Sequence, residues 1–253
     1  MSRPSRIARK PKEPHFDLAP LTRLDPALIV PVKGDDRFAG FMLALALVFN
    51  DLKGVALFGQ WLKPSRPSQP EISQHTGQWR GLDLQLHRLA VSLIRELLTL
   101  IEEFQDEATG ERVEVLLSTA PPSVRRDWSD LVSVATGSGD DSDTRFARTI
   151  EQIRHNIAFH YHQPKRLVAG FRAFFFASRR SAANEHAYCS FGRNMEETRF
   201  YYADAAIEGA LSSMQGPGFL PSFSRVRDAT NRALAHLLEE YSKTARRVSQ
   251  ERE

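Results

Sequence analysis

From Leu82 onward apolar residues recur at steps of three and four: Leu82, Leu86, Leu89, Leu93, Leu97, Leu100 and Phe104, with Ala90, Ile94 and Ile101 beside them. Asp83, His87, Arg88, Arg95, Glu96, Glu102 and Glu103 fall between. This period predicts an amphipathic helix of roughly 25 residues, whose single apolar stripe must be covered by other helices. Upstream, the stretch from about Asp35 to Leu62 is apolar enough to read as a largely buried helix, with Asp35 or Asp36 as N-cap and Pro64 as its stop. Its densest run, Phe41 to Phe49, is shorter than the ~20 residues of a membrane span and gives way at once to Asn50, Asp51 and Lys53. Pro64, Pro67 and Pro70 follow, which predicts an extended loop.

Between Thr109 and Thr144 the pattern weakens: Gly110 breaks it, Pro121-Pro122 punctuates it, and a short helix is expected around Ser123 to Ala135. The polar run Thr136 to Asp143 reads as a solvated, mobile loop. Asp143 or Thr144 then caps a third long helix, in which Phe146, Ile150, Ile153, Ile157 and His160 or Tyr161 share a face and which Pro164 ends or kinks. A helix over Lys165 to Ser178 comes next. Aromatic runs at Ala187–Phe191 and Thr198–Tyr202 flank Gly192-Arg193-Asn194, which predicts a small β-hairpin. Helices at about Ala203–Met214 and Phe223–Val248 complete the chain, and Val226, Ala229, Ala233, Leu237, Tyr241 and Val248 form a near-heptad stripe that closes the bundle or pairs with a second chain.

The expected fold is therefore mainly α: an antiparallel helical bundle with a small β-hairpin appended in the C-terminal third. Residues 1–34 form a basic, largely disordered segment, residues 35–248 a single helical domain, and residues 249–253 a charged tail. Within the domain, a core bundle over 35–178 precedes the hairpin and helices of 185–248.

Composition narrows the chemistry. The single cysteine, Cys189, excludes an intramolecular disulfide, a CxxC redox motif and a thiolate metal site, and points to a reducing, cytoplasmic location. The first twelve residues carry Arg3, Arg6, Arg9, Lys10 and Lys12 but no apolar core of the kind a secretory signal needs, and no membrane partner is expected. A net charge of +3 is too small to impose a polyanionic partner by itself.

One segment concentrates polar chemistry on a helix whose other face is core: Arg154-His155-Asn156-Ile157-Ala158-Phe159-His160-Tyr161, with Glu151 before it and His162 after. His160 lies seven residues after Ile153, so helical spacing turns it toward the bundle seam. On one ideal helix Arg154 and His160 diverge by about 120°. A joint site then needs a long arginine reach, a kink toward Pro164 or a second protomer. Plainer roles remain open: a hydrogen-bonded His160 inside the bundle, an Arg154 paired with Glu151 or Asp51, and solvated His155 and His162. A metal reading of Glu151 and His155, spaced i, i+4, with His160 and His162 as further imidazoles, lacks the paired Glu-x-x-His motifs on two helices that a di-iron carboxylate site needs, so neither metal nor cofactor is expected.

These residues resemble the Arg-x(4 to 6)-His motif of the HEPN superfamily, here with five residues between Arg154 and His160 and with Phe159-His160-Tyr161 closing it. The resemblance implies a homodimer that brings two motifs together. It implies, in many members, a metal-independent endoribonuclease active in toxin-antitoxin systems or phage defence, with RNA as substrate and a protein antitoxin as partner. Arg154 and His160 take the catalytic positions. His155, Asn156 and His162 stand beside them as binding or supporting residues, and Asn50 and Asp51 resemble the polar pair that holds the motif arginine. A catalytically inactive dimer binding RNA, a nucleotide or a protein is the alternative.

Overall fold

In the computed structural model, which describes residues 22–32, 36–68, 73–155, 164–176, 185–216 and 218–250 with side chains as far as Thr244, helices begin where short acidic or hydroxyl side chains can cap them. Asp25 caps α1 (Pro26–Ile29) and Asp36 caps α2 (Arg37–Leu62), its carboxylate accepting from Ala39 N at 3.0 Å. Ser73 caps α3 (Gln74–Glu103), Asp106 caps α4 (Glu107–Leu117) and Asp140 caps α6 (Asp141–Ile153), each accepting an amide of the first turn that has no partner inside the helix. α5 (Pro122–Thr136) opens on proline, where the missing N–H costs nothing, and closes on Gly137 at φ 67°, a left-handed C-cap that favours glycine. α7 (Pro164–Phe175), α8 (Tyr201–Met214) and α9 (Phe219–Gln250) follow.

α2 and α3 form an antiparallel pair. Arg37 bonds the carbonyl of Glu103 at one end (2.9 Å), and the Trp79 indole bonds that of Leu62 at the other (3.1 Å). α9 closes the bundle against α5 and α2, and its stripe of Val226, Ala229, Ala233 and Leu237 is buried there. One cluster joins Phe41, Leu45, Leu97, Leu131, Ile150 and Leu237, so the core draws on α2, α3, α5, α6 and α9 together. α7 and α8 cross at very close range: a Cβ added at Gly170 would lie 2.1 Å from the Ala206 carbonyl oxygen, and one at Gly209 would lie 2.2 Å from that of Gly170. Only glycine lets these backbones meet.

The all-helical character agrees with the pattern reading, but several details do not. The β-hairpin is absent from the described residues. A single antiparallel bridge joins Ser190 and Arg199 (N to O, 2.7 and 3.0 Å), and Tyr201 and Tyr202 already belong to α8. Local bonds replace the ladder: Asn194 Oδ1 accepts from Glu197 N, Glu197 accepts from Arg193 N, and the Thr198 hydroxyl bonds the Asn194 carbonyl. The expected loop over Thr136 to Asp143 shrinks to 137–140, because its acidic residues cap and start α6. Gly110, read as a break, lies inside α4.

α2 also departs from a largely buried helix. Phe38, Ala39, Phe41, Met42 and Leu45 are its buried residues, all in its first half, while Leu47 and Phe58 are 62% and 58% exposed. With the 3₁₀ turn at Lys63–Ser65 it is long and apolar enough, by length and composition, to cross a membrane, a test that the core helix of a bundle also passes.

Candidate functional site

α6 carries Arg154 at its C-terminal end, where Arg154 and His155 continue as a wider π-helical turn. Such turns widen the helix by one residue and redirect a side chain. The Arg154 guanidinium reaches α3, where its Nε–H donates to Glu96 Oε1 at 2.6 Å. Both side chains are partly in water, with 36% and 50% exposure. The plainer alternatives of Glu151 and Asp51 as its partner give way to Glu96. Glu151 instead faces Arg95 of α3 at 3.8 Å and His155, one turn on, at 3.9 Å.

Arg154 and Glu96 border a groove of about 610 Å³ whose opposite wall is α2, with Asn50, Asp51, Gly54 and Phe58. Asn50 and Asp51 therefore line one recess with Arg154, more than a hundred positions away in the chain. Leu86, Leu89 and Leu93 of α3 form its apolar floor. A guanidinium has five donors in a fixed fork, and the Glu96 bond engages one of them, Nε–H. A phosphate oxygen is therefore a chemically suitable second acceptor.

Asn156, His160 and His162 lie outside the described residues, so the site is built here from Arg154, His155, Asn50 and Asp51. Among the described residues no group of three or more His, Cys, Asp or Glu side chains is placed to hold a metal ion. Sequence reasoning missed Glu96. It sits on the polar side of α3, four residues after the buried Ser92, and nothing in the α3 pattern marks which helix that side meets.

The groove lies within an exposed apolar stripe of α2. Leu43, Leu47, Gly54, Phe58 and Trp61 recur at three-, four- and seven-residue spacings, and Asn50 and Asp51 occupy the same face at its middle. No protein-family model, no curated protein and no solved structure matches this chain.

Proposed function

We propose that this protein is a HEPN-like, metal-independent endoribonuclease that works as a homodimer in a toxin-antitoxin or phage-defence setting. The observation that carries the reading is the convergence of Arg154 from α6 with Asn50 and Asp51 from α2 on one solvent-reachable groove. The exposed apolar stripe on either side of that groove gives a second copy a surface to cover.

The chemistry needs no resident cofactor, because RNA brings its own nucleophile. A base takes the proton of the 2′-hydroxyl and the oxygen attacks phosphorus. The bond from phosphorus to the 5′-oxygen breaks, and an acid returns a proton to that oxygen. The products are a 2′,3′-cyclic phosphate and a 5′-hydroxyl. An imidazole can act as base or as acid near neutral pH, so His160 can fill either role, and two copies across a dimer divide them. Arg154 takes the charge that develops on the phosphorane.

The test is RNA cleavage by the purified protein in EDTA. Cyclic phosphate ends are expected, and Arg154→Ala and His160→Ala should each abolish cutting while melting stays unchanged. Activity that survives either substitution removes that residue from the mechanism. The second reading, an RNA-binding groove that does not cut, is favoured by the Arg154–Glu96 ion pair, which partly neutralises the guanidinium. Tight binding with no cleavage selects it.

A further inference from the structure

On the inward side of α2 a second stripe runs Phe38, Met42, Leu45, Phe49, Leu52, Ala56 and Gly59. Its first half is sealed in the core, where Phe38 meets the Tyr241 ring of α9 edge-on at 5.9 Å. Its second half ends in small side chains. Ala56 and Gly59 line the cleft with Asp83 and Leu84 of α3, and a Cβ added at Gly59 meets no atom within 4 Å. The result is a cleft of about 900 Å³ bounded by α2, α3, α8 and α9. That volume falls in the range of small-molecule sites, which pair apolar walls with a few polar groups.

Ile94, Leu211 and Phe223 make the inner wall apolar and buried. Two polar features interrupt it. The Thr230 side chain is 1% exposed, and its hydroxyl has no hydrogen-bond partner among the described residues. The His87 ring Nε2 meets the Gln215 amide nitrogen at 3.1 Å and packs against the Phe223 ring at 5.6 Å. At the rim, positive and negative groups balance. Arg80 is bonded to Glu208 and Arg227 to Asp228, both at 2.8 Å, and Lys53 is offset by Asp83. A rim whose charges already neutralise one another does not select an ion.

We propose that this cleft binds an uncharged, mainly aromatic or alicyclic small molecule carrying one hydrogen-bonding group, which the Thr230 hydroxyl, covered in the empty cleft and without a partner there, meets once the side chains over it shift. The site lies across the α2–α3 pair from the Arg154 groove and shares only Val55 and Leu86 with it, so it stands whether or not the protein cleaves RNA.

Three probes of nearly equal size test it on the full chain: 1-naphthol, naphthalene and 1-naphthoate, each titrated by its own fluorescence. Saturable one-to-one binding of naphthol and naphthalene is expected, with naphthoate at least tenfold weaker. Thr230→Val keeps shape and removes the hydroxyl. It should weaken naphthol by about 2- to 12-fold, the range for one lost hydrogen bond, and leave naphthalene within twofold. Ala56→Trp fills the cleft from an exposed position and should abolish binding of both while the chain still melts cooperatively. No saturable binding overturns the proposal, as does binding that Ala56→Trp leaves intact. Naphthoate binding more tightly than naphthol overturns the uncharged class, and equal losses of naphthol and naphthalene in Thr230→Val overturn the anchor.

Discussion

Replacing Glu96 by Gln should tighten RNA binding while hardly touching stability, and both magnitudes follow from the geometry of one ion pair. The pair is short, 2.6 Å from Arg154 Nε to Glu96 Oε1, but its side chains are 36% and 50% exposed, so water screens it. Pairs of that exposure are worth about 0.2–1 kcal/mol. The substitution should therefore lower Tm by no more than about 4 °C, given roughly 2–4 °C per kcal/mol for a chain of this size. A phosphate that recruits Arg154 must compete with the same carboxylate. Relief from that competition should improve affinity by about 1.4- to 5-fold, since each 1.4 kcal/mol is tenfold. Removing a negative charge from the groove acts in the same direction, and the gain should shrink as salt rises. The assay is fluorescence anisotropy with a labelled single-stranded RNA at two salt concentrations, in a His160→Ala background so that cleavage does not interfere. Unchanged or weaker binding refutes the assignment of Arg154 to phosphate. A Tm loss beyond about 10 °C would show that the pair braces α6 on α3, which also refutes it.

Burial depresses the pKa of His87 below the ordinary 6.5, against a smaller opposing pull from Asp83. The unfolded chain therefore takes up this proton first, and stability should fall as pH drops below about 6.5. His87→Gln should flatten that acid limb in a pH series of thermal melts, and an unaltered slope would count against it. Gly170→Ala should destabilise despite alanine's better helix propensity, because its methyl meets the Ala206 carbonyl, whereas Gly110→Ala, with nothing within 4 Å, should stabilise by about 1 kcal/mol. Urea titration of the two variants reads the contrast, and equal effects would deny the close α7–α8 crossing. Leu47→Glu combined with Phe58→Glu places two charges on the exposed stripe of α2 and should convert the proposed dimer to a monomer in light scattering, with the chain still melting cooperatively. A dimer that persists would move the interface to another face.

What the sequence could disclose was local. The three-and-four spacing from Leu82 to Phe104 marked α3, although that helix begins eight residues earlier, at Gln74, where apolar periodicity is absent and only the Ser73 cap signals a start. Of the two aspartates read as possible caps, Asp36 starts α2, and Pro64 lies in the turn that ends it, because caps and prolines act through neighbouring amides. The hairpin failed because aromatic residues around turn chemistry look alike whether or not a ladder forms. Here Tyr201 and Tyr202 serve a helix, with the Tyr201 ring lying over Gly77 of α3. Glu96 as partner of Arg154 was illegible, since their pairing depends on how α6 crosses α3, a distance of 58 residues in the chain.

α2 shows how one composition serves several environments. Its apolar residues run all around the helix, which on sequence alone fits a buried core helix or a membrane span. The bundle divides that surface instead. Phe38, Phe41, Met42 and Leu45 are sealed against the core, Phe49, Leu52 and Ala56 line the cleft, and Leu43, Leu47, Phe58 and Trp61 face outward. Asn50 and Asp51 break only the outward stripe, at the point where Arg154 approaches. A polar pair there costs little in water but would be expensive beneath an unbroken apolar cover. Any second copy seated on this stripe must therefore leave the groove wet or bring polar groups to meet it. The proposed site, framed by two subunits with Arg154 at its edge, would satisfy that requirement, and the polar residues that weaken such an interface would then give it chemistry.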